Sequence, residues 1–256
     1  MIEVKNISKW FDGVQVLHDI NARFETGKTN LIIGQSGSGK TVLLKCLVGL
    51  LKPEDGEIYY DGRCLNTMNA EQRKELRMDI GMLFQGSALF DNETVLGNVM
   101  FPLKMFSPLS HKEQLERAHF CIDRVGLKNA DNKYPSEISG GMQKRVAIAR
   151  AISLNPKYLF CDEPNSGLDP RTSLLIDDLL SDITHEYQMT TVINTHDMNS
   201  VLGIGEHIIF INKGHCDWSG NDKSIYRSDN QSLNDLVFAS TLFKEVKRYM
   251  ERKANK

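Results

Sequence analysis

The chain has 256 residues, 41% of them hydrophobic, enough to bury a substantial core as one large or two small domains without staples. Its 31 Lys and Arg against 33 Asp and Glu leave a formal charge of −2, so the global basic excess that marks many nucleic-acid binders is excluded and no nucleic-acid partner is expected. The five cysteines (Cys46, Cys64, Cys121, Cys161, Cys216) are scattered without a CxxC pair, and no run approaches the ~20 apolar residues that span a bilayer. A reduced, cytosolic chain without its own membrane anchor is the expectation.

Strand character runs through IEVKNI (2–7), VQVLHDINARF (14–24) and TNLIIG (29–34), and the third leads straight into glycines and a helix ending near Leu51. The turn KPEDG precedes a strand at EIYYDG, and DIGMLF (79–84) is a short apolar run of buried-strand type. From about 92 to 155 the pattern is helical, with HKEQLERAHFCIDRVGL (111–127) ending at a glycine and a lysine. Strands return at KYLFCD (157–162), TTVINT (190–195) and HIIFINKG (207–214), and DPRTSLLIDDLLSDITHEY is a helix between the first two. Strands alternating with helices predict an α/β sheet, and the helical middle reads as an inserted subdomain. In SLNDLVFASTLFKEVKRYMER (232–252), Leu236, Ala239, Phe243, Val246 and Met250 recur at three- and four-residue steps, which predicts one apolar stripe on a helix. Docking on its own domain is the expected use of that stripe; gripping another subunit or lying on a membrane surface are the alternatives.

Gly34-Gln35-Ser36-Gly37-Ser38-Gly39-Lys40-Thr41 matches G-x-x-x-x-G-K-[ST] and sits between an apolar strand and a helix, the context that motif requires. Its glycines let the backbone wrap phosphates, Lys40 reaches the terminal ones, and the Thr41 hydroxyl suits Mg²⁺. Downstream, YLFCDE (158–163) is an apolar strand ending in two carboxylates: Asp162 suits the Mg²⁺ shell and Glu163 suits polarisation of an attacking water. A second glycine-rich helix start, ISGGM at 138–142, is another candidate phosphate site.

This ordered set of motifs resembles the ATP-binding cassette (ABC) ATPases over residues 2–228, and ISGGM looks like their signature motif, usually LSGGQ. The resemblance implies a P-loop fold with a RecA-like core sheet, an N-terminal antiparallel β subdomain and a helical subdomain inserted at about 92–155. The whole ATPase domain would cover 1–228, followed by a helical extension over 229–256. It implies ATP and Mg²⁺, bound by Gly34, Ser36, Gly37, Ser38, Gly39, Lys40, Thr41 and Val42, with Phe11, or Trp10 in its place, stacking on adenine. Two copies would stack head to tail, so that Ser139, Gly140 and Gly141 of each meet the nucleotide of the other. Gln85 would touch Mg²⁺ and water, and Asn165–Asp169 would cross the dimer interface. His196 in NTHD would act as the switch histidine, its tautomer open. Hydrolysis is expected to use Glu163, His196, Lys40 and Gln85. Departures are Ile138 for Leu, Met142 for Gln and Asn165 for the more usual Thr; none removes the N–H groups that bind phosphate.

Most ABC ATPases of this size serve an integral membrane permease, which implies a peripheral place on the cytoplasmic face of the inner membrane. The segment 81–103 (GMLFQGSALFDNETVLGNVMFPL), together with ISGGM and DEPNSGLDP, resembles the Mla-type ATPases of phospholipid transport in Gram-negative envelopes. That likeness adds an MCE-domain lipid-binding protein and a small accessory subunit as partners. The alternatives are the ATPase of an amino-acid importer, many of which carry a regulatory domain longer than the thirty residues here, and a soluble ABC protein acting on ribosomes or DNA. From residues alone, Ala88–Phe101 could line a groove for a partner's helix or serve as core.

Overall fold

The computed structural model describes residues 1–254. The chain opens as a hairpin, β1 (Ile2–Phe11) with β2 (Val14–Phe24), closed by Asp12 and Gly13, both in the left-handed region at φ 49° and 79°. An Asp-Gly turn of that hand matches the twist of antiparallel strands, so β1 runs to Phe11 instead of stopping at Ile7. Next come β3 (Lys28–Ile33), α1 (Lys40–Leu47), β4 (Asp55–Tyr60), the two-residue β5 (Arg63–Cys64), α2 (Ala70–Met78) and β6 (Ile80–Leu83). Three helices follow, α3 (Val95–Phe106), α4 (His111–Arg124) and α5 (Gly140–Ile152). Then β7 (Tyr158–Asp162), α6 (Pro170–Tyr187), β8 (Thr190–Asn194), α7 (Met198–Ile204), β9 (His207–Asn212) and β10 (His215–Gly220) alternate, before α8 (Gln231–Val237) and α9 (Thr241–Ala254).

Two sheets form. The antiparallel one has order β2-β1-β4-β5; the other has order β10-β9-β3-β8-β7-β6, with all neighbours from β9 to β6 parallel. In the second sheet alternate residues face two different cores. Leu31, Ile33, Leu159, Cys161, Ile193, Ile208 and Phe210 join the core beneath α3–α7, while Ile32, Tyr158, Phe160, Val192, Ile209 and Ile211 join the core shared with α1 and the antiparallel sheet. A parallel sheet covered on both faces explains why these strands read as unbroken apolar runs. The helices α3–α5 enter between β6 and β7, which pair directly from Ile80↔Tyr158 to Leu83↔Cys161, so the insertion leaves the sheet uninterrupted.

The expected α/β cassette is the architecture observed. Several local expectations change. The first helix stops at Leu47 because residues 48–51 close it, with Val48, Gly49, Leu50 and Leu51 N–H groups bonded back to Leu44, Cys46 and Lys45 carbonyls and Gly49 at φ 72°. The capped helix α2, the short strand β5, the helix α7 and the antiparallel edge strand β10 appear where no element was expected. The single tail helix is two helices broken at Phe238–Ser240, where Phe238 is buried and Ala239 is exposed, so Ala239 leaves the stripe. Leu236, Phe243, Val246 and Met250 still pack on the larger core. Residues 255 and 256 of the expected extension lie outside the described residues. No described helix is long and apolar enough to cross a membrane.

Candidate functional site

Parallel strands end together, so side chains just beyond their carboxyl ends converge. β3 delivers the phosphate loop, β7 delivers Asp162 and Glu163, β8 delivers Asn194 and His196, and β6 delivers Gln85. The register puts Asp162 opposite Asn194, and Asn194 opposite Ile32, one residue before the end of β3.

The loop is shaped by glycine at two close approaches. A Cβ on Gly34, which has φ 155°, would lie 2.1 Å from the Ile211 carbonyl oxygen; one on Gly39, at φ 106°, would lie 2.8 Å from Leu17 Cδ2. A residue with a side chain would push the loop away from β9 or β2. Gly39 is the cap of α1 and supplies no side-chain acceptor, while Leu43 N–H is the first to bond back, to Gly39 O at 2.9 Å. The N–H groups of Lys40, Thr41 and Val42 are therefore the helix's open donors, placed where an anion binds. The Val42 side chain packs in the core, so only its N–H serves the loop. Ser38 Oγ is buried with no partner, a second sign of a loop shaped for a ligand's oxygens.

Lys40 Nζ donates to Gly34 O and Gln35 O, both at 2.9 Å. Burial pulls its pKa down, opposed by Glu163 and Asp162. Thr41 Oγ1 lies 3.4 Å from Asp162 Oδ1, and Asn194 Nδ2 bridges them, donating to Thr41 Oγ1 at 3.1 Å and to Asp162 Oδ1 at 2.6 Å. Hydroxyl and carboxylate oxygens suit a hard divalent cation that keeps waters and phosphate oxygens as its remaining ligands, so Thr41 and Asp162 fit Mg²⁺. The buried, unpartnered Asn194 Oδ1 sits beside that pair.

Glu163 is held on both oxygens. Gln85 Nε2 donates to Oε2 at 2.8 Å, and His196 Nδ1 lies 3.1 Å from Oε1. Its backbone has φ 47°, rare for a residue with a side chain, and its N–H donates to Asn194 O at 2.9 Å. Gln85, expected at Mg²⁺, is thus found on the carboxylate.

Phe11 ends β1 as a residue 42% exposed, with Lys9 Nζ 5.1 Å from its ring centroid, on the hairpin whose Val16 and Leu17 flank Gly39. An open ring there is free to stack on a base. Ser139 caps α5, accepting from Met142 N–H at 3.3 Å, and Ser139 and Gly140 are exposed. Gly140 and Gly141 lie against Leu168 and Thr172 of the same chain: a Cβ on Gly141 would sit 2.7 Å from Thr172 Cγ2. Asp169 caps α6 through Arg171 and Thr172 N–H groups.

Two buried cations escaped the sequence reading. Lys144 Nζ donates to Gln85 O, while Arg150 donates to Ser87 O at 2.8 Å and Ala88 O at 2.7 Å, where both residues adopt left-handed backbone. Burial lowers the pKa of each. Through them α5 grips the segment after Gln85. Asn194 also escaped; its adjacency to the strand end before His196 was the available signal. The stretch Ala88–Phe101 divides: Val95, Val99 and Met100 are core, while Phe90 and Phe101, with Phe84, Pro102 and Phe106, line an open apolar groove beside Arg77 and Arg150.

A glycine-cradled helix start beside a hydroxyl–carboxylate pair and an oriented glutamate defines a P-loop nucleotide-hydrolysing ATPase. Residues 17–166 match the ABC transporter family, and the chain belongs to it. It is 35% identical over 237 residues to the methionine import ATP-binding protein MetN of Clostridioides difficile, covering 93% of this chain and 74% of that protein. With the glutamine transport ATP-binding protein GlnQ of Escherichia coli it shares 40% identity over 240 residues, 93% of this chain and 98% of GlnQ. The dimeric bacterial ABC transporter cassette MJ0796 superimposes with a TM-score of 0.79 at 35% identity, over 87% of this chain and 99% of that one. MJ0796 is also known as a post-hydrolysis dimer bound to ADP and Pi, with a TM-score of 0.78.

Proposed function

We propose that the chain is the ATP-hydrolysing subunit that energises a membrane permease for amino-acid-type uptake. The carrying observation is the Glu163 carboxylate suspended between Gln85 and His196 beside the phosphate loop. MetN and GlnQ support the substrate class. Tail length does not argue against it, because the chain matches GlnQ over nearly all of GlnQ's length.

The chemistry follows from the residues. The open N–H groups of residues 40–42 and the Lys40 ammonium take the phosphates, and the Phe11 ring takes the base. Thr41 and Asp162 would hold Mg²⁺, which would supply positive charge against the phosphate oxygens. Glu163 directs a water at the terminal phosphate; Gln85 and His196 hold its oxygens in line, and Lys40 offsets charge developing in the transition state. The exposed Ser139 and Gly140 face a second copy's nucleotide, an arrangement the MJ0796 dimer supports. The groove of Phe84, Phe90, Phe101 and Phe106 takes a permease helix, and Lys144 and Arg150 carry its movement to α5. A peripheral place on the cytoplasmic face of the inner membrane belongs to this reading.

The likeness of residues 81–103, ISGGM and DEPNSGLDP to Mla-type ATPases carries a second reading, phospholipid transport with an MCE-domain protein and an accessory subunit. MetN and GlnQ favour the first. Gentle purification of the tagged chain from native membranes, with mass spectrometry of bound proteins and lipids, separates them. An amino-acid permease supports the first, and an MCE-type protein with phospholipid replaces it by the second. Ribosomal or DNA partners would overturn both.

A further inference from the structure

Asp177 on α6 is 3% exposed and lies among the apolar positions Ile176 and Leu180, where a carboxylate gains nothing from packing. None of the ion pairs among the described residues includes it. Its two oxygens are divided between two other segments. Asn165 Nδ2 donates to Oδ1 at 2.8 Å, and Ser200 Oγ donates to Oδ2 at 2.7 Å; Asn165 Nδ2 also reaches Ser200 Oγ at 3.0 Å. Asn165 and Ser200 are themselves 9% and 1% exposed. Burial raises the Asp177 pKa to about 6, against the pull of the bonds from Ser200 and Asn165 and with a further push from Asp197 and Asp178.

An unpaired buried carboxylate destabilises a fold, so its return has to be sought in what it holds. Asn165 stands two residues beyond Glu163, and Ser200 stands four beyond His196, in the first turns of α7. The Glu163 backbone is left-handed at φ 47° and persists only if its surroundings constrain it. His196 is largely exposed and depends on its flanks for position. We propose that Asp177 is a positioning residue which, through Asn165 and Ser200, sets the separation of Glu163 and His196 for hydrolysis. The three side chains clamp the loop after β7 and the loop after β8 onto one point of α6. The proposal rests on the reading of Glu163 and His196 given above.

The test is steady-state ATP turnover of the full-length chain, purified from native membranes with its bound partners. Asp177→Ala, Asp177→Asn and Ser200→Ala are compared with wild type, and Glu163→Gln is run in parallel. Because loosening a reacting geometry by a fraction of an ångström slows the step without weakening binding, Asp177→Ala should lower kcat by about tenfold or more while KM for ATP stays within about twofold. Asp177→Asn keeps an acceptor for Asn165 and a polar partner for Ser200, and should restore most of the rate. Ser200→Ala should lower kcat by about threefold to tenfold, and it decides the matter if Asp177→Ala does not fold. Unchanged kcat in Ser200→Ala, together with loss of turnover in Glu163→Gln, overturns the clamp and leaves the site reading intact. Retained turnover in Glu163→Gln overturns the site reading and the clamp with it.

Discussion

Gln85 donates its side-chain N–H to Glu163 Oε2 at 2.8 Å, so a residue just beyond the sheet's edge strand β6 touches a carboxylate 78 positions later in the chain. The same Gln85 offers its backbone carbonyl to Lys144 of α5. One residue thus joins the candidate catalytic carboxylate to the helix that begins at Gly140. Glu163→Gln should leave ATP binding in place and lower turnover by about 10²-fold or more, because an amide cannot take up a proton from water. Gln85→Ala should lower kcat by about tenfold by freeing one carboxylate oxygen. Single-turnover hydrolysis beside equilibrium nucleotide binding reads both effects.

Asn194 donates to both Thr41 Oγ1 and Asp162 Oδ1, the two oxygens proposed above to hold Mg²⁺, and so orients them. Removing such a supporting bond weakens metal affinity by about 10- to 100-fold. Asn194→Ala should therefore raise the Mg²⁺ concentration needed for half-maximal turnover by at least about tenfold, and excess Mg²⁺ should restore much of the rate. A Mg²⁺ titration at saturating ATP checks it; an unshifted curve removes Asn194 from the metal site.

Asp177 makes stability depend on pH in a stated direction. Its pKa is raised to about 6 by burial, above the ordinary aspartate value, so between about pH 4 and pH 6 the folded chain binds more protons than the unfolded one. Stability from this group is full at the acid end and falls as pH rises through 6. Asp177→Asn lacks the ionisation, so its advantage over wild type should grow across that window towards about 3 kcal/mol, less whatever its weaker hydrogen bonds forgo. Paired denaturant melts at pH 4.5 and pH 7.5 show it.

The tail helix α9 lays Phe243, Val246 and Met250 on the main core, each half-buried, while Leu242 and Tyr249 face outward. Deleting residues 241–256 should destabilise the chain by about 2–4 kcal/mol, the order expected for three partly buried apolar side chains. A melting temperature equal to that of the full chain would mean the stripe is held elsewhere, on another subunit.

The phosphate loop, Thr41, the carboxylates Asp162 and Glu163, His196 and the glycines at 140 and 141 were legible because each lies in a short contiguous pattern of residues whose chemistry is local. The central strands were legible too, because burial on both faces removes polar residues from them and leaves apolar runs. Helix α2 was not, although Asn69 and Gln72 form a capping box, because it buries Leu76 alone and shows no apolar period. Strand β10 alternates exposed and half-buried residues of weak strand preference and forms because β9 offers an edge. In the tail, the three- and four-residue spacing gave no sign of the break in the helix, where Phe238 leaves the helical run to be buried beside the Tyr226 ring and Ala239 turns outward.

What the amino-acid sequence determined by itself is the family, the nucleotide chemistry and the order of the elements that carry it. Tertiary structure alone decided the supports: Asn194 across Thr41 and Asp162, Lys144 and Arg150 on the segment after Gln85, and Asp177 between Asn165 and Ser200. Those partners are separated by 12 to 153 residues, and only strand register and helix packing bring them within hydrogen-bond reach. A motif records which groups do the chemistry, whereas the polar groups that hold them in place are chosen by proximity in space, which no spacing along the chain encodes.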